Sequence, residues 1–258
     1  MPAMTQVLER PDEILPLLER EPLRYLELIE QLRRAPETPL SLYVDDLEAP
    51  ANLAAVRWGG GALSLFNLVD IFPGRISGLF ELLEALPRAQ GSYEFFCPFW
   101  VAPALEQAFR TELQGPVARY RLDPAHLAPE PAARQSAKLT TAFDDEDLGL
   151  LPFAFPHTVA GAPHRGLVLK GELVAVAAVT AQVAPYAALS VHVPAEHRGR
   201  GFGAGALLAA AEALLAQGLT PTTRVSLGDE ASVRRVEALG MTVHETVMKV
   251  NGVGRRVQ

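Results

Sequence analysis

The chain has 258 residues, 49% of them hydrophobic, with a formal net charge of −7, and can form one large domain or two of about 100–150 residues. Residues 1–131 carry 11 basic and 19 acidic side chains, an imbalance that argues against nucleic acid as a partner. A single cysteine, Cys97, argues against disulfide frameworks and multi-cysteine metal sites, and the lack of a signal sequence or a long apolar run predicts a cytoplasmic protein without a membrane partner.

The first 120 residues are predicted to form a mixed α/β domain. Residues 12–34 have helical apolar periodicity, which Pro16 and Pro22 divide into two helices. Gly59-Gly60-Gly61 is expected to form a hairpin turn, and Cys97 is expected to be a buried apolar residue. The remaining predicted elements are strands at Leu40–Val44, Ala54–Trp58, Ala62–Leu68 and Tyr93–Cys97, and helices at Leu79–Leu86 and Ala102–Leu113.

A proline-rich segment, Gly115–Pro131, marks the predicted boundary between domains at residues 1–120 and 121–258. Its prolines interrupt helices and strands and are typical of linkers. One short strand is predicted inside it, at Val117–Leu122.

The second domain is predicted to have the order β-β-β-loop-α-β-α-β. Its first two strands are joined by a two-residue turn at Lys170-Gly171 or Gly171-Glu172. Asp229 is expected to cap the second main helix, and Gly218 and Gly240 are expected to end the two helices. The predicted elements are a short helix at Asp144–Leu151, strands at Gly166–Leu169, Leu173–Ala181, Ala187–Val193, Thr223–Leu227 and Met241–Val250, and helices at Leu207–Gln217 and Glu230–Leu239.

A glycine-rich loop connects the third strand to the first long helix of this domain, with the sequence Arg198-Gly199-Arg200-Gly201-Phe202-Gly203-Ala204-Gly205. Its glycines allow the backbone to turn sharply or to approach a ligand closely. The helix that follows directs unpaired N–H groups and its positive dipole end into the loop. The loop is therefore predicted to bind an anion, most often a phosphate.

Two kinds of nucleotide site are compatible with this loop. The run Gly201-x-Gly203-x-x-Ala206, with Asp229 downstream, satisfies the dinucleotide-binding fingerprint and predicts an NAD(P)-binding Rossmann protein. That fold would place the glycines directly at the tip of its first parallel strand, whereas here two antiparallel-looking strands come first.

The second kind of site accounts for more residues. Arg198, Gly201 and Gly203 match the pattern Arg/Gln-x-x-Gly-x-Gly/Ala, and the run resembles motif A of the GNAT superfamily of N-acyltransferases. The segments Gly228–Ser232 and Ala238–Met241 are similar to the second signature of that family, in which a short helix ends in Leu-Gly-Phe. The resemblance covers roughly residues 130–250.

This resemblance implies a mixed α+β GNAT fold and a cofactor, acetyl-CoA or another acyl-CoA. It implies an oxyanion donor at the main-chain N–H of Val191 and pantetheine pairing with Ser190, Val191 and Val193. Asp229 and Ser232 are assigned to the cofactor site as well. The phosphate cradle implied by the resemblance consists of Arg198, Gly199, Arg200, Gly201, Phe202, Gly203 and Ala204.

The catalytic side chains are less well defined. The positions that the family gives to a general base match Ala187 and Leu189, and the position of its general acid matches Val236; none can exchange a proton. Tyr186 is the candidate nearest the usual base position. His192 is expected to face the side of the sheet opposite to the adjacent valines, in a structural role, because side chains alternate along a strand. His197 is expected on the loop surface.

The first domain weakly resembles the degenerate half of two-domain GNAT proteins, including the glycine N-acyltransferase-like ones, at Tyr25–Leu28 and Cys97–Trp100. No copy of motif A is found in residues 1–115, so we expect a duplicated fold with one active half. The predicted function is transfer of an acyl group to a small-molecule or peptide amine. The alternatives are a catalytically silent acyl-CoA-binding module and the NAD(P)-binding protein.

Overall fold

The computed structural model describes residues 6–8, 10–34, 39–46, 50–58, 66–86, 91–127, 137–141 and 158–254. The chain divides into two compact units, each assembled from separate segments. The first unit falls within Met1–Pro16, Leu32–Val117 and Thr246–Gln258, and the second within Leu17–Gln31 and Ala118–Glu245. The predicted domain limits, 1–120 and 121–258, stay a prediction.

The described elements fall into two series along the chain. Those before residue 123 are β1 (Gln6–Val7), α1 (Leu15–Leu18), α2 (Leu26–Arg33), β2 (Leu40–Val44), β3 (Asn52–Arg57), β4 (Phe66–Pro73), α3 (Leu79–Ala85), β5 (Ser92–Cys97), α4 (Ala102–Ala108) and β6 (Phe109–Leu122). Those after it are β7 (Lys138–Thr140), β8 (Arg165–Leu169), β9 (Glu172–Val183), β10 (Tyr186–His192), α5 (Phe202–Leu215), β11 (Thr220–Ser226), α6 (Glu230–Ala238) and β12 (Met241–Gly254).

In the first unit the strands lie in the order β1-β2-β3-β4-β5, followed by the later part of β12. Neighbouring strands are antiparallel except β4 and β5, which run parallel over Phe66–Asp70 and Ser92–Phe96. Helices α3 and α4 contribute Leu82, Leu83 and Leu105 to its apolar core. Cys97 is buried there, so the expectation of a buried apolar residue is confirmed, and burial raises the pKa of its thiol to about 12.

The predicted helix at Ala102–Leu113 is too long. Helix α4 ends at Ala108, and residues from Phe109 onward form the extended strand β6. The Phe109 ring is buried with its centroid 4.9 Å from that of Phe95, a tertiary contact that outweighs the helical pattern. The structure describes strand β4 at Phe66–Pro73, which overlaps the strand predicted at Ala62–Leu68 and extends beyond it. Gly59-Gly60-Gly61 and residues 62–65 lie outside the described residues.

In the second unit β6, β11, β10, β9, β8 and β7 are neighbours in that order. Helix α5 packs on this sheet through Leu207, Leu208 and Leu214. The turn between β8 and β9 has positive φ at Lys170 (55°) and Gly171 (90°), as expected for a two-residue hairpin turn. None of the helices that the structure describes is long and apolar enough to cross a membrane. The helix predicted at Asp144–Leu151 lies outside the described residues.

The strand topology contradicts the dinucleotide-binding alternative. Strands β8, β9 and β10 pair antiparallel, and β10, which leads into the glycine loop, is the third of them. Its only parallel partner among the described residues is β11. A doubly wound parallel sheet would begin with the fingerprint strand, so the NAD(P)-binding alternative is wrong.

The same order of elements occurs in both units. The first has β2-β3-β4-α3-β5-α4 and the second has β8-β9-β10-α5-β11-α6, and in both a parallel pair follows antiparallel strands. The prediction of a mixed α+β fold is therefore confirmed, and the shared order fits a duplication.

Candidate functional site

The second unit opens between its two parallel strands. Among the described residues, the pairing of β10 with β11 is confined to Tyr186–Ala188 and Thr220–Thr222. Strand β10 continues to His192 and β11 to Ser226. Main-chain N–H and C=O groups require hydrogen-bond partners, so the edges of β10 and β11 that face each other beyond Ala188 can accept an extended ligand.

Two hydrogen bonds join the strands at the narrow end of this opening. The N–H of Thr220 donates to the carbonyl oxygen of Pro185, at 2.7 Å, and the hydroxyl of the buried Thr222 donates to the carbonyl oxygen of Ala187, at 3.3 Å. Sequence analysis did not single out Thr222, because a threonine in a strand carries no signal of such a contact.

The wide end of the opening leads to the glycine loop. Gly201 is the N-cap of α5 with φ +82°, which confirms that its backbone adopts a conformation that favours glycine. The first intrahelical bond runs from the N–H of Gly205 to Gly201, and the N–H groups of residues 202–204 have no helical acceptor. The first turn of α5 contains no acidic residue. This geometry suits an anion.

Gly203 has a different role, in the packing of the loop. Its φ is not positive, but a Cβ atom at this position would lie 3.0 Å from Cγ2 of Val193 and 3.3 Å from Nε of Arg235. Glycine therefore allows the end of β10 and the Arg235 side chain of α6 to pack against the first turn of α5. Arg235 was not predicted, since its position depends on how two helices meet.

The two arginines of the loop make contacts that hold the loop itself. Nε of Arg198 donates to the carbonyl oxygen of Val193 at 3.1 Å. The Arg200 guanidinium lies 5.0 Å from the centroid of the Phe202 ring, and its Nη1 is 3.3 Å from Nδ1 of His197. Both arginines are exposed, so their charges also reach the solvent side of the loop.

The expectation that His197 lies on the loop surface is wrong. Its side chain is buried, with Nε2 3.1 Å from Oε1 of Glu172 at the start of β9. The imidazole also makes an edge contact with Phe202. His197 therefore ties the loop to β9 and to the beginning of α5.

The strand before the loop contains the other predicted cofactor residues. Val191 packs against the core of the second unit and Val193 belongs to it, while Ser190 is half-buried. All three lie beyond the end of the parallel pairing, along the opening. The use of their main-chain groups by a ligand stays a prediction.

The positions that the resemblance gives to catalytic side chains are part of the core. Ala187, Leu189 and Val236 are at most 2% exposed and pack together with α5. Tyr186 and His192 are half-buried, and strand alternation places both on the other face of the sheet. Partial burial lowers the pKa of His192, Arg198 lowers it further and Glu196 opposes the shift, so the imidazole is neutral near pH 7.

Asp229 and Ser232 are joined by hydrogen bonds. Asp229 caps α6 by accepting the N–H of Ser232 at 3.1 Å and its hydroxyl at 2.6 Å. These Ser232 bonds lower the pKa of Asp229. The predicted cap is therefore confirmed, while the assignment of both residues to a cofactor stays a prediction.

The first unit has a loop in the same position along its order of elements, which the sequence analysis missed. Arg75-Ile76-Ser77-Gly78 lies between β4 and α3, and Gly78 is the N-cap of α3 with φ +82°. The spacing Arg-x-x-Gly is the same as in Arg198 to Gly201, but Phe80 stands where the second unit has Gly203. Because Phe80 replaces the last glycine of the motif, the sequence pattern alone did not identify this loop.

Side chains of the first unit occupy this second loop. Asn52 Oδ1 accepts the N–H groups of Gly74 (3.0 Å) and Arg75 (3.2 Å). Its Nδ2 donates to Oδ2 of Asp45, at 2.8 Å, and that oxygen lies 2.9 Å from where a Cβ of Gly78 would be. Asp45 and Asn52 are both buried. The buried carboxylate of Asp45 thus lies beside Gly78, at the loop of the first unit that corresponds to the glycine loop of the second.

Comparison with known proteins shows the same architecture. A GCN5-related N-acetyltransferase from Sphaerobacter thermophilus superposes with a TM-score of 0.65 at 13% identity, over 100% of this chain and 98% of that one. One from Kribbella flavida gives 0.64 at 17% identity, over 93% and 97% of the two chains. A tandem GNAT protein from the clavulanic acid biosynthesis pathway gives 0.62 at 16% identity, over 98% and 100%.

At these identities the likeness establishes the fold. No family model matches the sequence, and a search of curated proteins finds no match. The resemblance identified from Arg198, Gly201 and Gly203 is confirmed at this level: the chain has the fold of GNAT-family N-acetyltransferases, including a tandem member.

Proposed function

We propose that this GNAT-fold chain binds an acyl-CoA, most simply acetyl-CoA, in its second unit and transfers the acyl group to an amine. The observation that carries the proposal is the end of the β10–β11 pairing at Ala188 and Thr222, directly before the glycine loop of α5. One ligand with a phosphate end and an extended, amide-bearing arm suits both features.

The residues present fit such a cofactor. The N–H of Arg198 already donates to the carbonyl oxygen of Ala195, but the main-chain N–H groups from Gly199 to Ala204, at the N-terminus of α5, can bind a diphosphate without a particular side chain. Amides of the pantetheine arm can pair with the main-chain groups of Val191 and Val193, which face away from β9 whereas those of Ser190 face it, as a peptide does when it extends a sheet.

The chemistry requires removal of a proton from the amine and stabilisation of a developing oxyanion. A bound acyl-CoA supplies an activated thioester. The main-chain N–H of Val191 is our candidate for the oxyanion donor. Tyr186 and the neutral His192 are the ionisable side chains of β10. We propose that Tyr186, which lies nearer the closed end of the opening, acts on the acceptor amine. Orientation of the two substrates contributes much of the rate in this scheme.

A catalytically silent acyl-CoA-binding module is the second candidate, because the side chains of Ala187, Leu189 and Val236 are apolar and buried. Incubation with acetyl-CoA and a panel of small amines and peptide N-termini, followed by assay of free thiol, separates the two. Amine-dependent thiol release supports the transferase, and binding without release supports the silent module.

Acetyl-CoA is expected to bind to the purified protein and to raise its Tm, because a ligand that binds only the folded state stabilises it. NAD and NADP are expected to leave Tm unchanged, since the strand order is not that of a dinucleotide-binding sheet. Isothermal titration with acetyl-CoA and longer acyl-CoAs measures the affinity. No binding at millimolar ligand would contradict the proposed function.

A single acyl-CoA is expected to bind to each chain. The loop of the first unit already holds Asp45 and Asn52 against its main-chain groups, and a second anion there would meet a buried carboxylate. The stoichiometry of the same titration checks this. A value of two sites per chain would show that the first unit also binds the cofactor.

A further inference from the structure

We propose that Arg235, on α6, is a ligand of the cofactor diphosphate. This inference rests on the proposed function and concerns the same site. The Arg235 side chain reaches the beginning of α5, with Nε 3.3 Å and Cζ 3.4 Å from the position that a Cβ of Gly203 would take. The guanidinium therefore lies against the first turn of α5.

The charges around this turn favour an anion. A helix N-terminus carries about half a positive charge, so a cation beside it is unfavourable unless a negative group is present. The first turn of α5 has no acidic residue, and Arg198 and Arg200 precede it in the loop. The neighbouring carboxylate of Asp229 accepts hydrogen bonds from the N–H and hydroxyl of Ser232 and also attracts Arg235. A bound diphosphate would add further negative charge beside the three arginines and the helix N-terminus.

This placement explains why the second motif glycine, Gly203, has no side chain. Any side chain at residue 203 would meet Arg235 or Val193, so glycine leaves the guanidinium its position over the turn. In the first unit Phe80 occupies the equivalent place, and that loop is filled by Asp45 and Asn52. An arginine can bond two phosphate oxygens at once through its planar fork, which a lysine cannot reproduce.

Arg234 offers a matched control on the same helix. It is 72% exposed and pairs with Glu230 at 3.2 Å. Arg234→Gln and Arg235→Gln therefore remove the same charge from adjacent positions, of which only the second faces the loop. Titration calorimetry with CoA and with dephospho-CoA, which lacks the 3′-phosphate, measures both variants, and Tm values establish that each is folded.

Arg235→Gln is expected to weaken CoA binding about tenfold, or about 1.4 kcal/mol, while Arg234→Gln changes it by less than about twofold. The same tenfold loss is expected with dephospho-CoA, because the proposed partner is the diphosphate. Arg235→Lys should recover part of the affinity, because it keeps the charge without the fork.

Unchanged binding by Arg235→Gln would overturn the inference. A loss seen with CoA but not with dephospho-CoA would also overturn it, because Arg235 would then contact the 3′-phosphate. If the unmodified protein does not bind CoA, the proposed function itself fails, which is a different result from tight binding by both the parent and Arg235→Gln.

Discussion

Replacing Gly203 with valine is expected to weaken acetyl-CoA binding by at least about 100-fold, equivalent to about 2.7 kcal/mol. The Cβ alone would come within 3.0 Å of Val193 and 3.3 Å of the Arg235 guanidinium. The two further methyl groups of valine would displace Arg235 from the turn and crowd the N–H groups that are proposed to hold the diphosphate.

The fold is expected to survive this substitution, with Tm lowered by less than about 5 °C. The buried face of α5, formed by Leu207, Leu208 and Leu214, is unchanged, and the atoms that a Cβ would meet belong to side chains. Titration calorimetry and thermal unfolding, performed on the same preparations, separate loss of the site from loss of the fold.

Gly203→Ala gives an intermediate test, because it adds the Cβ without the methyl groups of valine. Binding is expected to decrease in the order glycine, alanine, valine. Gly228→Ala is the control, since a Cβ there would have only Ser226 Oγ at 3.8 Å. If Gly203→Val bound acetyl-CoA as tightly as the parent, the loop would not be the phosphate site.

Features that depend on local backbone geometry could be predicted from the sequence. The turn at Lys170-Gly171, the helix ends at Gly218 and Gly240, and the Asp229 cap all require particular φ values or one short-range hydrogen bond. The amino acids at these positions therefore largely determine the local conformation. The predicted order agrees with the structure from β8 to β12, whereas the short strand β7 was not predicted.

Features that depend on contacts between distant segments could not be predicted. The end of α4 depends on the burial of Phe109 against Phe95, and the role of Arg235 depends on where α6 meets α5. The corresponding loop of the first unit was missed because Phe80 replaces the last motif glycine, and because Asp45 and Asn52, which hold its conformation, precede it by more than twenty residues. Such contacts become visible only once the strands are aligned.

Another contact of this kind joins an early helix to the strands of the second unit. The Arg119 side chain on β6 is only 2% exposed, and its Nη1 and Nη2 donate to Oε1 and Oε2 of Glu27, on α2, at 2.9 and 2.7 Å. Arg224 on β11 also pairs with Glu27, at 3.3 Å. The carboxylate of Glu27 thus pairs with both arginines at a largely buried position.

Glu27→Gln is expected to lower the free energy of unfolding of the protein by about 3 kcal/mol, because removal of one partner leaves a buried charge without compensation. Glutamine keeps the size of the side chain and loses only the charge. Glu21→Gln is the control in the same segment, since Glu21 is 61% exposed and its pair with Arg24 should contribute less than about 1 kcal/mol. Urea unfolding at pH 7 measures both variants.

The pH dependence of this difference distinguishes a charge effect from a packing effect. Burial alone would raise the pKa of Glu27, but Arg119 and Arg224 outweigh it and hold that pKa well below its usual range. A carboxylate with a depressed pKa stabilises the folded state above its unfolded pKa, near 4.3, and this stability is lost as the pH falls toward the folded pKa. The gap between the parent and Glu27→Gln should therefore be constant from pH 6 to 8 and narrow below about pH 4. If the difference in free energy of unfolding between the two proteins stays constant in acid, Glu27 acts through packing. If Glu27→Gln has an effect no larger than that of Glu21→Gln, the buried Arg119 does not depend on the charge of Glu27.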